Sequence, residues 1–341
     1  MLSRPRIIAS SSPPHLRDRR LARGSKASYH IGVITSDLGA LGYVDGSCKP
    51  DGLGGRLQPL GAAAPADCVA PQGAPYITID QQANTDNING IDWLPKTLSC
   101  MTAVGDQGCG FEQTLESLRV ALLSPANAGF LRDDALLVIA ILTDEDDCST
   151  DDDELFTAPV PNVGGMLGYR RSFRCSRFGL TYAAPGGRAL LPYASTMGPV
   201  ADPRPATKAE GGRLFDLSRY IDLLTKPRSA GGIKDNPNDV IIGLISAPPS
   251  PVEVLLASPN TALDYTECVG PINEFCQPVL QRSCSSSGIV GDPAVRLHAV
   301  ATSFPSERRV VGDLCASSYQ TFADELMAKT TARLVANRES P

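Results

Sequence analysis

The chain has 341 residues, is 42% hydrophobic and 6% aromatic, and carries a formal charge of −6. That length admits one large domain or two small ones, and 31 glycines with 28 prolines demand long irregular segments between the regular elements. Residues 1–28 hold seven Arg or Lys and one acid, about +6, which leaves about −12 for the rest; an acidic body excludes a nucleic-acid surface, which needs clustered positive charge.

In chain order, residues 1–28 are rich in Arg, Pro and Ser and read as a disordered basic segment. Their longest apolar run is Ile7-Ile8-Ala9, far short of a signal-peptide core. SYHIGVIT is the first clear strand, β-branched and alternating, and it ends at Ser36-Asp37-Leu38-Gly39, a turn carrying a carboxylate. Residues 40–75 lack periodicity and read as a loop. Tyr76 to Asp80 is a short strand, so the two strands form a hairpin with a long insertion. A short helix or turn is predicted near Pro95 to Met101. Phe111 to Leu123 is an amphipathic helix, with Phe111, Leu115, Leu118 and Leu122 on one face and Glu112 and Glu116 in its N-terminal half.

Ala135 to Leu142 is apolar throughout, as for a central strand covered on both faces. Asp144 falls at its C-terminal end, where open α/β sheets bind ligands. Residues 149–212 read as an elaborated loop, in which Arg170, Arg171, Arg174 and Arg177 balance the acids from Asp144 to Glu154. Arg213 to Lys226 is a second amphipathic helix and Asp239 to Ser246 another apolar strand. Residues 247–293 are irregular, Val295 to Thr302 reads as the last strand, and Tyr319 to Val335 is a terminal helix. The order β, β, α, β, α, β, β, α predicts an α/β fold: a three-layer, doubly wound, mostly parallel sheet with loop insertions at about 40–75, 149–212 and 247–293.

Ten cysteines occur with no CxxC pair and few histidines nearby, which disfavours zinc and favours disulfides in an oxidising, extracytoplasmic compartment. Their connectivity cannot be read from sequence, though Cys48 and Cys68 flank one loop and are candidate partners. No stretch is long enough to span a membrane. Disulfides require export, and the missing export signal implies a native start upstream of Met1.

The chemistry concentrates in ALLVIAILTDEDDCSTDDDE, where eight of the eleven residues from Asp144 to Glu154 are acidic. Carboxylates with hydroxyls suit a hard cation such as Mg²⁺ or Ca²⁺. Asp144 is the leading ligand, Asp146 and Asp147 are possible seconds, and the run from Asp151 to Glu154 is ordinary solvated loop. Nucleophilic catalysis has less support: there is no GxSxG elbow, and His298 reads as a packed strand residue. No GxxxxGK[ST] phosphate loop occurs.

SYHIGVITSDLGA, GCGFEQTLESLRVALL and ALLVIAILTDEDDCS resemble the second strand, third helix and fourth strand of a von Willebrand factor A domain, of the disulfide-containing type in secreted or lipoprotein-type bacterial proteins. The resemblance spans roughly residues 29–336. It implies a metal-ion-dependent adhesion site at the top of the sheet, where a carboxylate from a protein ligand completes the shell of Mg²⁺ or Ca²⁺. Thr143-Asp144 matches the third ligand loop. In the second loop the Thr is displaced, and Glu112 or Thr114 stands in for it; Ser36 and Asp37 end the neighbouring strand. The first loop, Asp-x-Ser-x-Ser, is absent together with the central strand that precedes it. The expected function is therefore non-enzymatic binding of an unidentified protein through an incomplete site containing Asp144, Asp146, Asp37, Ser36, Glu112 and Thr114. A metal-free interaction module and a secreted metal-dependent hydrolase are the alternatives.

Overall fold

A computed structural model describes residues 6–8, 28–43, 48–106, 108–156, 171–193, 197–258, 266–273 and 275–339. The first element is a three-residue strand, β1 (Arg6–Ile8). SYHIGVIT breaks at Gly32 into β2 (Ser28–Ile31) and β3 (Val33–Thr35). After a long loop come β4 (Ile77–Asp80) and β5 (Thr85–Asp86), which join β2 in a three-stranded antiparallel sheet. Two helices follow, α1 (Leu94–Thr102) and α2 (Thr114–Leu123), then β6 (Leu137–Leu142).

The second insertion, at 149–212, is not plain loop. It contains α3 (Arg171–Gly179) and an antiparallel sheet of β7 (Leu180–Ala184), β8 (Gly187–Leu190) and β9 (Arg204–Pro205). The chain then runs through α4 (Ser218–Thr225) and β10 (Val240–Ser246). The third insertion, at 247–293, likewise holds small sheets. β11 (Val254–Ser258) lies between β12 (Thr266–Glu267) and β13 (Gln277–Leu280), and β14 (Cys284–Ser286) pairs with β15 (Ile289–Gly291). The last elements are α5 (Val295–Thr302), β16 (Arg309–Asp313) and α6 (Gln320–Glu339).

The fold is α/β, but its parallel sheet is small and is accompanied by several small antiparallel sheets, rather than forming one large doubly wound sheet. The main sheet has five strands in the order β16-β10-β6-β1-β3. β6, β10 and β16 are mutually parallel, with Ile139 opposite Ile242 and Ile242 opposite Arg309. β1 is antiparallel to both neighbours, Ile7 lying opposite Ile34 on β3 and Ile141 on β6. Two expectations change here. Arg6–Ile8 belongs to a strand, although the sequence there reads as disordered. That strand fills the position between β3 and β6 where a central strand was missing, and it satisfies backbone groups that would otherwise form two open edges. The rest of residues 1–27 lies outside the described residues.

One face of the sheet is buried under α2, α4 and α5. Leu115, Leu118, Leu223, Leu224, Leu297 and Val300 pack there with Leu137, Ile139 and Ile141. On the other side α1 packs on Val33 of β3 and on Ile31, Ile77 and Ile79 of the β2–β4 sheet, and α6 covers Ile241 and Val310 of the main sheet. Between those helices Val138, Ala140 and Leu142 stay half-buried, so β6 alternates although its sequence does not. Gly243 permits the approach of α6, since a Cβ there would stand 2.7 Å from the Phe322 ring.

VRLHAVAT is a helix, not the last strand. Its Val295, Leu297, Ala299 and Ala301 imitate a period of two, but Leu297, Val300, Ala301 and Phe304 recur at helical steps and are all buried, while Ala299 is only half-buried. The true last strand, β16, is short and bounded by Arg309 and Asp313, which hides its apolar pair Val310-Val311.

All ten cysteines are paired: Cys48–Cys109, Cys68–Cys100, Cys148–Cys175, Cys268–Cys276 and Cys284–Cys315. Cys48 and Cys68 are therefore not partners; Cys48 reaches the loop before α2 and Cys68 reaches α1. Five disulfides are consistent with an extracytoplasmic location. Among the described residues no helix is long and apolar enough to cross a membrane.

Candidate functional site

The C-terminal ends of β3 and β6 carry the residues singled out by sequence, and the loop before α2 stands beside them. At the end of β3, Ser36 Oγ donates to Glu112 Oε2, and the Gln113 N–H donates to the Ser36 carbonyl at 3.2 Å. Asp37 turns the other way. Its Oδ1 accepts the Gly39 N–H at 2.9 Å, closing a turn that needs the positive φ of 73° at Gly39. Thr114 opens α2 fully buried, and its hydroxyl has no hydrogen-bond partner.

The acidic loop after β6 divides by role. Thr143 continues the ladder, its N–H reaching the Ile245 carbonyl at 3.0 Å, and its hydroxyl bonds the Glu145 backbone. The Asp144 carbonyl accepts the Asp292 N–H at 2.8 Å, which latches the end of the third insertion onto this loop. Glu145 retains its proton well above the usual carboxylate range. Burial is the main cause, followed by the negative charges of Asp292, Glu112 and Asp144, which Arg282 partly offsets. Asp292 pairs with Arg282 at 2.6 Å. Four carboxylates and one hydroxyl thus meet here with one arginine. Glu145 and Asp292 are members that sequence reasoning missed; Asp292 lies at the end of a stretch with no local pattern.

Asp146 and Asp147 serve the helices. α5 has no side-chain cap of its own, and Asp146 supplies one across 150 positions by accepting the Arg296 N–H at 2.9 Å and the Leu297 N–H at 3.1 Å. Asp147 Oδ1 accepts the Leu115 N–H at 2.9 Å, and Ser149 Oγ accepts the Glu116 N–H at 2.8 Å, so the first turn of α2 is capped from the same loop. Asp147 Oδ2 also faces Arg296 at 3.1 Å in a pair whose side chains are 0% and 1% exposed. Asp146, expected as a second ligand, is thus committed to a helix terminus.

Burial outweighs those hydrogen bonds and pushes the Asp146 pKa up to about 6 from an ordinary 3.8. The folded chain therefore binds more protons than the unfolded chain between those values, and stability falls as pH rises through that window. In cation-free buffer, the wild type should show a component of melting temperature that rises from pH 7 to pH 5. His298 opposes it, because burial lowers its pKa. Comparison with Asp146→Asn isolates the aspartate: the variant should lose that rise, and parallel profiles would contradict its burial.

Three of the later acids are paired with Arg213 and Lys208. Asp152 is held by Arg213 Nε at 2.5 Å and Nη2 at 2.7 Å, Glu154 by Arg213 at 2.7 Å and Asp151 by Lys208 at 2.5 Å. Arg174 is fully buried and donates to the Leu155 carbonyl, and Arg177 lies over the Phe178 and Tyr193 rings. Arg170 and the side chain of Arg171 lie outside the described residues. A Ser/His contact does exist: His298 Nε2 lies 3.1 Å from Ser246 Oγ. Ser246 is 1% exposed, so its hydroxyl is sealed from any substrate.

No protein-family model, no curated protein and no solved structure matches this chain.

Proposed function

We propose that the chain is an extracytoplasmic, non-enzymatic protein-binding domain of von Willebrand factor A-like build, binding at the C-terminal ends of its parallel strands through an incomplete divalent-cation site. The observation that carries this reading is the gathering of Ser36, Glu112, Asp144, Glu145 and Asp292 at one end of the sheet. An all-oxygen donor set fits Mg²⁺ or Ca²⁺, and the orphaned Thr114 hydroxyl, two residues after Glu112, is a further oxygen of the right kind. A cation would supply the charge that lets Glu145 ionise. A carboxylate of the protein ligand would complete the shell, as the resemblance implies. The site is proposed as weak, because among the described residues no three of these carboxylates bring ligand oxygens within 4.8 Å of one another. The one triad that does converge, Cys284, Asp313 and Cys315, has both sulfurs committed to a disulfide.

At roughly ten times Kd, cation binding should stabilise the fold by about 1–2 kcal/mol, a rise of roughly 2–4 °C in melting temperature. Mg²⁺ and Ca²⁺ against EDTA, followed by scanning calorimetry, tests this. The rise should vanish in Glu112→Gln and in Asp144→Asn. A second reading, a metal-free interaction module, is favoured by the commitment of Asp146 to α5 and of Asp37 to Gly39; an equal melting temperature in EDTA and in either cation would select it.

A further inference from the structure

Among the described residues, Cys284, Asp313 and Cys315 form the one group of three metal-ligating side chains whose ligand atoms all lie within 4.8 Å of one another. The two sulfurs form a disulfide, and it differs from the other four. Each of those buries at least one half-cystine: Cys48 and Cys109, Cys100, Cys148 and Cys175, or Cys276. Cys284 and Cys315 are both only half-buried, and Asp313 beside them is exposed. A thiolate in solvent can therefore reach this bond.

The backbone on both sides of the bond has anchors of its own. Cys284 pairs with Gly291 in the β14–β15 hairpin, where the Ser283 N–H donates to the Gly291 carbonyl at 3.0 Å and Ser283 Oγ donates to the Pro248 carbonyl at 2.7 Å. Opposite, the Leu314 N–H donates to the Ser246 carbonyl at 2.9 Å, and Asp313 Oδ1 accepts the Cys315 N–H at 2.8 Å. These bonds hold the two Cα atoms, 6.0 Å apart, when the sulfurs part. Two thiolates on a tetrahedral zinc stand about 3.8 Å apart at a Zn–S distance of about 2.3 Å, which side-chain rotation supplies from that spacing. Asp313 decides what the opened pair takes. Its negative charge opposes the ionisation of two thiols beside it, and a divalent cation reverses that. Two sulfurs and a carboxylate oxygen suit Zn²⁺, with water in the fourth position, whereas Mg²⁺ and Ca²⁺ take oxygen ligands.

We propose that Cys284, Cys315 and Asp313 form a zinc site that opens when a dithiol reductant cleaves the disulfide. One thiolate of the reductant attacks the S–S bond to give a mixed disulfide, which its second thiol resolves. Two electrons and two protons pass to the cysteines, and the reductant leaves as its own disulfide. Zn²⁺ then binds both sulfurs as thiolates, and their two protons go to solvent. The metal replaces the lost covalent tie between the β14–β15 hairpin and the end of β16. This site is separate from the acidic cluster at the strand ends and does not rest on it. In the test, the full chain is treated with an immobilised dithiol, which is removed, and is titrated without oxygen with Co²⁺ as a spectroscopic substitute, then with Zn²⁺ in competition. Alkylation and mass spectrometry should find Cys284 and Cys315 labelled before any other cysteine. The reduced chain should bind one Co²⁺ with thiolate-to-cobalt charge-transfer absorption that Zn²⁺ abolishes, and the oxidised chain should show none. Asp313→Asn, which keeps an acceptor for the Cys315 N–H, should open the same disulfide and weaken Zn²⁺ binding about ten-fold or more. Cys284→Ser/Cys315→Ser should lose the absorption. The proposal is overturned if another disulfide opens first, if the reduced chain gives no thiolate–cobalt absorption, if Asp313→Asn binds Zn²⁺ as tightly as the wild type, or if the absorption survives in Cys284→Ser/Cys315→Ser.

Discussion

Asp147→Ala should lower the unfolding free energy by about 3–5 kcal/mol, the cost of stranding one member of a buried ion pair. Arg296 is 1% exposed and has two anchors, Asp147 and the Phe215 carbonyl at 2.8 Å. Without Asp147 its guanidinium keeps only a neutral hydrogen-bond acceptor, and the carboxylate of Asp146 is left as the nearby counter-charge. The same substitution also removes the acceptor for the Leu115 N–H at the start of α2 and the partner of Ser149 at 2.5 Å. Three consequences fall on one residue because Asp147 bridges the loop after β6 to two helices. Urea unfolding of the oxidised protein measures the change. Replacing both partners, Asp147→Ala with Arg296→Met, should recover part of the loss, since no buried charge remains unpaired. A single-variant loss below about 1 kcal/mol would place the pair in the range of a surface salt bridge and refute this reading.

The second large effect is expected from Cys48→Ala/Cys109→Ala. This disulfide closes a sequence separation of 61 residues, for which the chain-entropy estimate is about 4 kcal/mol. Both half-cystines are buried and pack with Phe111, Cys148 and Phe156 above the site. They tie the loop that follows Asp37 to the loop that presents Glu112, so the variant should also lose any cation response. By contrast, Cys268–Cys276 spans only 8 residues, and the same estimate gives about 2.5 kcal/mol. Urea midpoints at unchanged m-values decide between the two, and equal losses would show that loop closure does not govern them.

The local chemistry was legible wherever neighbours in sequence are neighbours in space. β6 and β10 stand out as apolar runs, α2 by its leucines at helical steps, and Asp144 by its place at a strand end. Ten cysteines in loop-like sequence pointed to disulfides, and all ten are paired. Short runs were ambiguous for a physical reason: in VRLHAVAT the same apolar residues satisfy a period of two and a period of 3.6, and only the sheet and the preceding Asp146 cap select the helix. The apolar triplet of β1 likewise gains its meaning from β3 and β6, which offer it backbone partners on both sides.

What sequence alone determined is the set of strands and helices strong enough to announce themselves, and the presence of a carboxylate-rich strand end in a disulfide-bonded chain. Tertiary structure decided the use of each carboxylate. Four adjacent acids, Asp144 to Asp147, have the same chemistry and the same local context, yet Asp146 and Asp147 cap helices 150 and 32 residues away, while Glu145 joins Glu112 and Asp292. Those partners are set by long-range packing, because a buried N–H or charge must be satisfied by whatever group the fold brings to it, and no local pattern records which group that is.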